Sequence, residues 1–253
     1  MTSLTTYHAE LHVHTVLSPC AEVEMIPPLI ISEAIEKRIN LIAITDHNAT
    51  YNIKAVMKAA KGSGITILPG MELQTREEVH VLCLFDTYSQ AEALQTIVAK
   101  SMPIMRNNPD FFGEQFVVDE TGDFIRREDA LLLTSSSMTI KQACEVVEEL
   151  GGLLIPAHVN RKAFGLLPTL GFIPDELSSS LVMEISRHIT PENAITEYPQ
   201  LKSRVLIQSG DVHRLNEFLG INYFKIAEPS IAELNRAFSK VGGREFKIAT
   251  SNL

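Results

Sequence analysis

Eight histidines are spread along 253 residues, and six of them fall, with two acids, at or beside the ends of segments that read as β-strands. His12-Val13-His14 closes the first segment; residues i and i+2 of a strand point the same way, so both imidazoles can face one ion. Thr45-Asp46-His47 ends the second, Gly70-Met71-Glu72 the third, and His80 lies across an expected hairpin. Pro156-Ala157-His158 ends the fifth and Gly210-Asp211-Val212-His213 the seventh, where Asp211 and His213 repeat the i, i+2 spacing. Neutral imidazoles and carboxylates suit Zn, Mn or Fe, and this many ligands exceeds what one ion takes, so a cluster of two or three divalent ions is implied. A lone strand histidine is ordinarily a core or surface residue, and His8 and His188 are read that way. Glu72 alone would be an ordinary acid; its place after Pro69-Gly70 at a strand end promotes it.

The elements that must position these residues are short branched-apolar runs alternating with longer helical patterns, the mark of repeated βα units around a mainly parallel sheet. Strands are expected at Ala9 to His14, Leu41 to Thr45, Ile65 to Leu73, Val79 to Phe85, Leu153 to Ala157, Leu181 to Ile185 and Arg204 to Gln208, with a weaker one at Phe224 to Ala227. Helices fit Pro27 to Arg38, Tyr51 to Lys61, Ser89 to Lys100, Thr139 to Leu150 and Ser230 to Val241; Pro27-Pro28 suits a first turn, and Gly151-Gly152 and Gly242-Gly243 supply stops. Gln74 to Glu78 is too short for a crossover helix and predicts a hairpin. Seven or eight strands is a barrel number, and the C-terminal strand ends of an α/β barrel converge at one mouth. The irregular segment 102–137 reads as an insertion over that mouth, a candidate lid. Its Phe111 and Phe112 could stack on a nucleobase, although anchoring the insertion is the simpler role.

Composition narrows the partners. With 22 Lys+Arg against 31 Asp+Glu the formal charge is −9, which disfavours coating of long nucleic acid or an anionic membrane and favours a small or short substrate. No apolar run reaches a membrane span, and Met1 to Glu10 lacks a signal-peptide layout, so a soluble cytoplasmic protein is expected. The length suits one barrel-sized domain over 1–253. Cys20, Cys83 and Cys144 are odd in number with no CxxC, which argues against a disulfide framework. Cys83 and Cys144 read as small core residues.

HVHTVLSPC, LIAITDH, GMEL, VHVLCLF, LLIPAH and GDVH, in this order, resemble the PHP (polymerase and histidinol phosphatase) superfamily, from about Leu11 to His213. The resemblance implies a distorted (β/α)7 TIM-like barrel with a metal cluster at the C-terminal strand ends, and phosphoester hydrolysis. It implies that His12 and His14 with Asp211 hold one ion, that Glu72 bridges to a second held by His80 and His158, and that His47 with His213 hold a third. One position departs: six residues after His14 the family places His or Asp, whereas here it is Cys20, a softer ligand that would alter metal preference.

The expected function is that of a metal-dependent phosphoesterase acting on a small phosphorylated metabolite, nucleotide or short oligonucleotide through a metal-bridging hydroxide. Asp46 and Asp211 would orient a ligand imidazole or relay protons. Arg161, Lys162 and Arg187 would grip phosphate oxygens, or simply stand solvated on loops. Glu184 lines the pocket or pairs with Arg187. Two alternatives stand: a catalytically silent metal-binding module acting through a protein partner, and a metal-dependent C–N hydrolase of the amidohydrolase type. The latter usually wants a bridging lysine where this chain offers Glu72.

Overall fold

All eight expected strands form in the computed structural model, which describes residues 3–177 and 181–249. In chain order the strands are β1 (Thr5–Val13), β2 (Leu41–Ile44), β3 (Thr66–Gln74), β4 (His80–Leu84), β5 (Phe116–Val118), β6 (Phe124–Arg127), β7 (Leu153–Pro156), β8 (Val182–Ile185), β9 (Val205–Gln208), β10 (Asn222–Ile226) and β11 (Glu245–Ile248). The helices are α1 (Pro27–Glu36), α2 (Ile53–Ala59), α3 (Tyr88–Ser101), α4 (Pro109–Phe112), α5 (Ile140–Glu149), α6 (Leu166–Leu170), α7 (Pro191–Glu197) and α8 (Ile231–Phe238). The five expected helices are α1, α2, α3, α5 and α8. Thr87 with Gln90 and Thr139 with Gln142 build reciprocal capping boxes at the starts of α3 and α5.

The main sheet runs β11-β10-β1-β2-β3-β4-β7 and is curled; β8 and β9 form a separate parallel pair. This pair completes a ring of seven strands. On one side the Val159 N–H donates to the Glu184 carbonyl; on the other, Val13 bridges Val212, with the Val212 N–H on the His12 carbonyl and the His14 N–H on that of Val212. The result is the expected distorted TIM-like barrel.

The expected mainly parallel arrangement holds around the ring, with the hairpin strand β4 as the exception. Only β1–β2 and β2–β3 pair in parallel within the seven-stranded sheet. The Gln74–Glu78 hairpin turns β4 back against β3, which forces β7 to run antiparallel to β4. β10 and β11 lie outside the ring as a meander against the first half of β1, which therefore begins at Thr5.

Alternation along the strands sorts the buried apolar residues into two layers. Leu11, Ala43, Leu68, Leu82, Ile155, Val182 and Ile207 fill the barrel interior. Residues one step out of phase, such as Ile42, Ile67, Val81 and Met183, pack outward against Ile30, Val56, Leu94 and Ala143 of the surrounding helices. Helix α8 belongs to the inner layer: Ile231, Leu234, Ala237 and Phe238 join Phe224 in plugging the interior. Its first N–H, on Ile231, donates to Asp86, just past the end of β4 that lies away from His80. The plug therefore closes the end of the barrel opposite the histidines.

The 102–137 insertion folds as α4 and the β5–β6 hairpin and leans on the segments that follow β1 and β2. The Phe116 N–H donates to Val16 O, and Asn48 donates to the carbonyls of Leu132 and Thr134. Gly113 (φ +98°) passes so close that an added Cβ would lie 2.1 Å from Pro19 O. Anchoring is carried by these contacts and not by Phe111, whose side chain is 77% exposed.

Candidate metal centre

Continuing the inward alternation of each strand towards the open end leads to polar residues. Leu41 and Ala43 are followed in phase by Thr45 and His47, Leu68 by Gly70 and Glu72, and Leu84 and Leu82 by His80. Val182 is followed by Glu184, and Ile207 by Ser209 and Asp211. Three ligands, on two strands, break the alternation, each strand with a visible device. Leu11 faces inward, yet Val13 packs with the outer layer, because the β1–β2 register slips between Glu10 and Val13. That bulge turns His12 and His14 inward. On β7, Ile155 and Ala157 face inward and His158 follows directly; its backbone, at φ +29°, redirects the ring. Asp211 also sits at positive φ, +50°. Non-glycine residues there cost of order 1–3 kcal/mol, a strain that the surrounding hydrogen bonds must hold. The His158 N–H donates to Glu184 Oε2 at 3.0 Å and the Gly210 N–H to buried Glu10 at 2.8 Å.

Glu72, fully buried, is the hub. Its Oε1 lies 2.8 Å from His80 Nδ1, 3.0 Å from His158 Nε2 and 3.2 Å from His12 Nε2. Its Oε2 lies 2.9 Å from His47 Nδ1 and 3.3 Å from His14 Nε2. Asp211 Oδ1 approaches His12 Nε2 and His14 Nε2 at 3.3 and 3.4 Å. Among the described residues three overlapping groups have ligand atoms close enough to share an ion: His12, His14, Glu72 and Asp211; His47, Glu72 and His80; and His14, His47 and His213. His12 Nε2, His14 Nε2, His47 Nδ1, His80 Nε2, Glu72 Oε2 and Asp211 Oδ1 are buried without a hydrogen-bond partner. Buried lone pairs converging in this way fit divalent cations.

Electrostatics agree with that fit. Burial opposes ionisation of Glu72, but His80, His12 and His47 hold its carboxyl well below the usual range. Asp211, partly buried, is held low by His12 and His14. Burial pushes His80 down to about 4 and, with the charge of His14, His213 to about 3, and it lowers His47 as well. These three imidazoles are neutral and ready to ligate at neutral pH. For His12, burial is outweighed by Glu184, Glu72 and Asp211, which raise it well above its ordinary value; His14 is raised by its bonds to Asp211 and Glu72.

A second layer holds the rings in place. Glu184 Oε2 lies 2.9 Å from His12 Nδ1. The Asp46 carboxylate bonds no ligand side chain directly: it accepts from Thr15 N–H, Thr15 Oγ1 and Ser18 Oγ, and Ser18 Oγ lies 3.0 Å from His14 Nδ1. Asp46 therefore orients His14 through Ser18. The His80 ring stacks flat on Phe164 at 4.6 Å.

The remaining sequence candidates separate. Cys20 is exposed on the wall of the adjoining cavity and stands outside the three groups. Arg161 lines that cavity and donates to Asp211 Oδ2 at 2.7 Å. Arg187 lines it too, but its partners are Glu217 and Gly210 O, so the Glu184–Arg187 pairing does not form. Lys162 is exposed and is not on the cavity wall. Ser18, Glu10, Phe164 and Glu217 were invisible to spacing arguments, since serines and acids are common near strand ends and nothing local ties them to distant histidines.

A barrel plugged at one end, with a buried cluster of imidazoles and carboxylates able to hold metal at the other, defines the class of fold and site. Residues 10–153, more than half of the chain, match the PHP domain model, and the chain belongs to the PHP family. A stretch of 80 residues is 32% identical to the 5'-3' exoribonuclease Rnm of Salmonella typhimurium, covering 30% of this chain and 26% of that one. The fold superposes on the lesion-specific endonuclease PfuEndoQ of Pyrococcus furiosus with a TM-score of 0.73 at 20% identity, over 96% of this chain and 58% of that one. It also matches a putative metal-dependent phosphoesterase of Bifidobacterium adolescentis, with a TM-score of 0.56 at 16% identity, over 81% of this chain and 87% of that one. The chain thus spans little more than half the length of the endonuclease, and its match to the exoribonuclease covers about a quarter of that protein. Among the described residues no helix is long and apolar enough to cross a membrane.

Proposed function

We infer that the protein is a metal-dependent phosphoesterase whose 1–253 barrel acts as one unit, and that its substrate is a small phosphorylated compound, a nucleotide or a short oligonucleotide. The observation that carries this reading is the cluster of buried, partnerless imidazole and carboxylate atoms around Glu72. His12, His14, His47, Glu72, His80, His158, Asp211 and His213 would hold two or three ions of Zn, Mn or Fe. Bound there, such ions would supply an acidified water and positive charge for the phosphoryl oxygens. The chain's own contribution is orientation: Glu184 fixes His12, and Asp46 fixes His14 through Ser18. Arg161 and Arg187 keep N–H donors beyond those already bonded and present them to phosphate oxygens from the cavity wall.

Family membership and the nucleases among the relatives support phosphoester chemistry; a carboxylate at the hub, where amidohydrolases usually place lysine, favours it over C–N hydrolysis. The test reloads metal-free protein with Mn, Zn or Fe and measures hydrolysis of p-nitrophenyl phosphate, its bis ester, nucleotides and short oligonucleotides, with His12→Ala as the blank. Turnover absent from the blank is expected. Tight metal uptake without turnover of any ester would sink the reading in favour of the silent binding module.

A further inference from the structure

The cavity beside the cluster, about 470 Å3 in volume, runs between the outer ends of β8 and β9. Its wall continues the inward phase of both strands: Glu184 and Ser186 from β8, Ser209 and Asp211 from β9. Ser186 is satisfied by Asn160. Glu184 and Ser209, each 1% exposed, are not: Glu184 Oε1 and Ser209 Oγ are buried with no hydrogen-bond partner. The direction of Glu184 Oε1 is preset, because its other oxygen is held by His12 Nδ1 and the His158 N–H. A carboxylate oxygen can only accept, so what completes it is a donor. The wall sets Arg161, Arg187 and Arg214 against Glu184, Asp211 and Glu217, each arginine being paired with a carboxylate, so it offers no net charge that would call for a cationic ligand. An alcohol group, which can donate to Glu184 Oε1 and either donate to or accept from Ser209 Oγ, answers both atoms, and the volume suits one sugar- or nucleoside-sized moiety.

We propose that this cavity is the subsite for the alcohol side of the ester, and that Glu184 Oε1 and Ser209 Oγ bind hydroxyls of that alcohol, making the preferred leaving group a polyol or a ribose. The proposal deepens the phosphoesterase reading and rests on it.

The test uses Mn-loaded full-length protein and two matched pairs: glycerol 3-phosphate against propyl phosphate, and adenosine 5'-monophosphate against its 2',3'-dideoxy analogue. The hydroxylated member of a pair should have a kcat/KM higher by about tenfold or more, and Ser209→Ala should narrow that gap to within about threefold. A preference in both pairs identifies a general polyol subsite, and in the nucleotide pair alone a nucleoside subsite. Equal kcat/KM within both wild-type pairs overturns the proposal whatever the variant does. Calorimetric binding of each pair to the loaded protein is read in parallel. Absence of all turnover with a retained binding preference would defeat the phosphoesterase reading alone; equal binding and no turnover would defeat both.

Discussion

Glu72 shows how one residue sets the chemistry of its neighbours. Five imidazoles approach it; at His47 and His80 burial outweighs its pull, whereas at His12 and His14 it is joined by Asp211, and at His12 by Glu184, and burial is outweighed. His12 and His14 have raised pKa values, so in metal-free protein they hold protons near neutrality that an incoming cation must displace. His47, His80 and His213 are lowered and hold none there. Metal uptake at neutral pH should therefore release protons, and apparent affinity should fall as pH drops through the raised pKa of His12 and His14, levelling off above it. Titration with Mn or Zn in buffers of different ionisation enthalpy measures this directly; an uptake that is independent of buffer and pH from 6 to 8 would contradict it. At this scale the sequence was most informative. The six histidines with Glu72 and Asp211 stand where strand ends were expected to bring them. Cys20 stands at the rim, on the wall of the adjoining cavity and outside the three ligand groups.

Strands and helices convert that ligand list into a site. Simple alternation accounts for His47, Glu72, His80 and Asp211, but not for His12, His14 or His158, which need a bulge or a left-handed residue that no pattern of apolar residues encodes. The hairpin that reverses β4 was legible, but the pairing of β4 with β7 joins neighbours distant in sequence and was not. The short helices α4, α6 and α7 were missed because fewer than two turns carry too little periodicity to read. Helix α8 was legible as a helix, yet its role as a plug was not, since its apolar stripe looks like that of any outer helix. Leu234→Ala should cost about 3 kcal/mol by leaving a cavity at the closed end, lowering the midpoint of chemical unfolding while leaving the metal content per folded chain unchanged. Loss of metal in step with stability would show that the two ends of the barrel are not independent.

For the whole molecule, the ring is unevenly joined. β1 to β4 and β7 share continuous ladders, whereas β8 and β9 are attached at each side by a few backbone bonds. Local opening is expected where hydrogen bonds are fewest. Amides of the β8–β9 pair and of 210–213 should exchange with deuterium faster than those of β2 and β3 in metal-free protein, and slow selectively when Mn or Zn is added. Uniform protection in both states would contradict this. His12 and His14 stand on one side of the Val13–Val212 bridge, Asp211 and His213 on the other. An ion held by both sides is then a clasp as well as a reagent: it fastens the last two strands to the first. Cells poor in that ion would hold a chain that is idle and also ajar, and proteases would meet it at its seam before anywhere else.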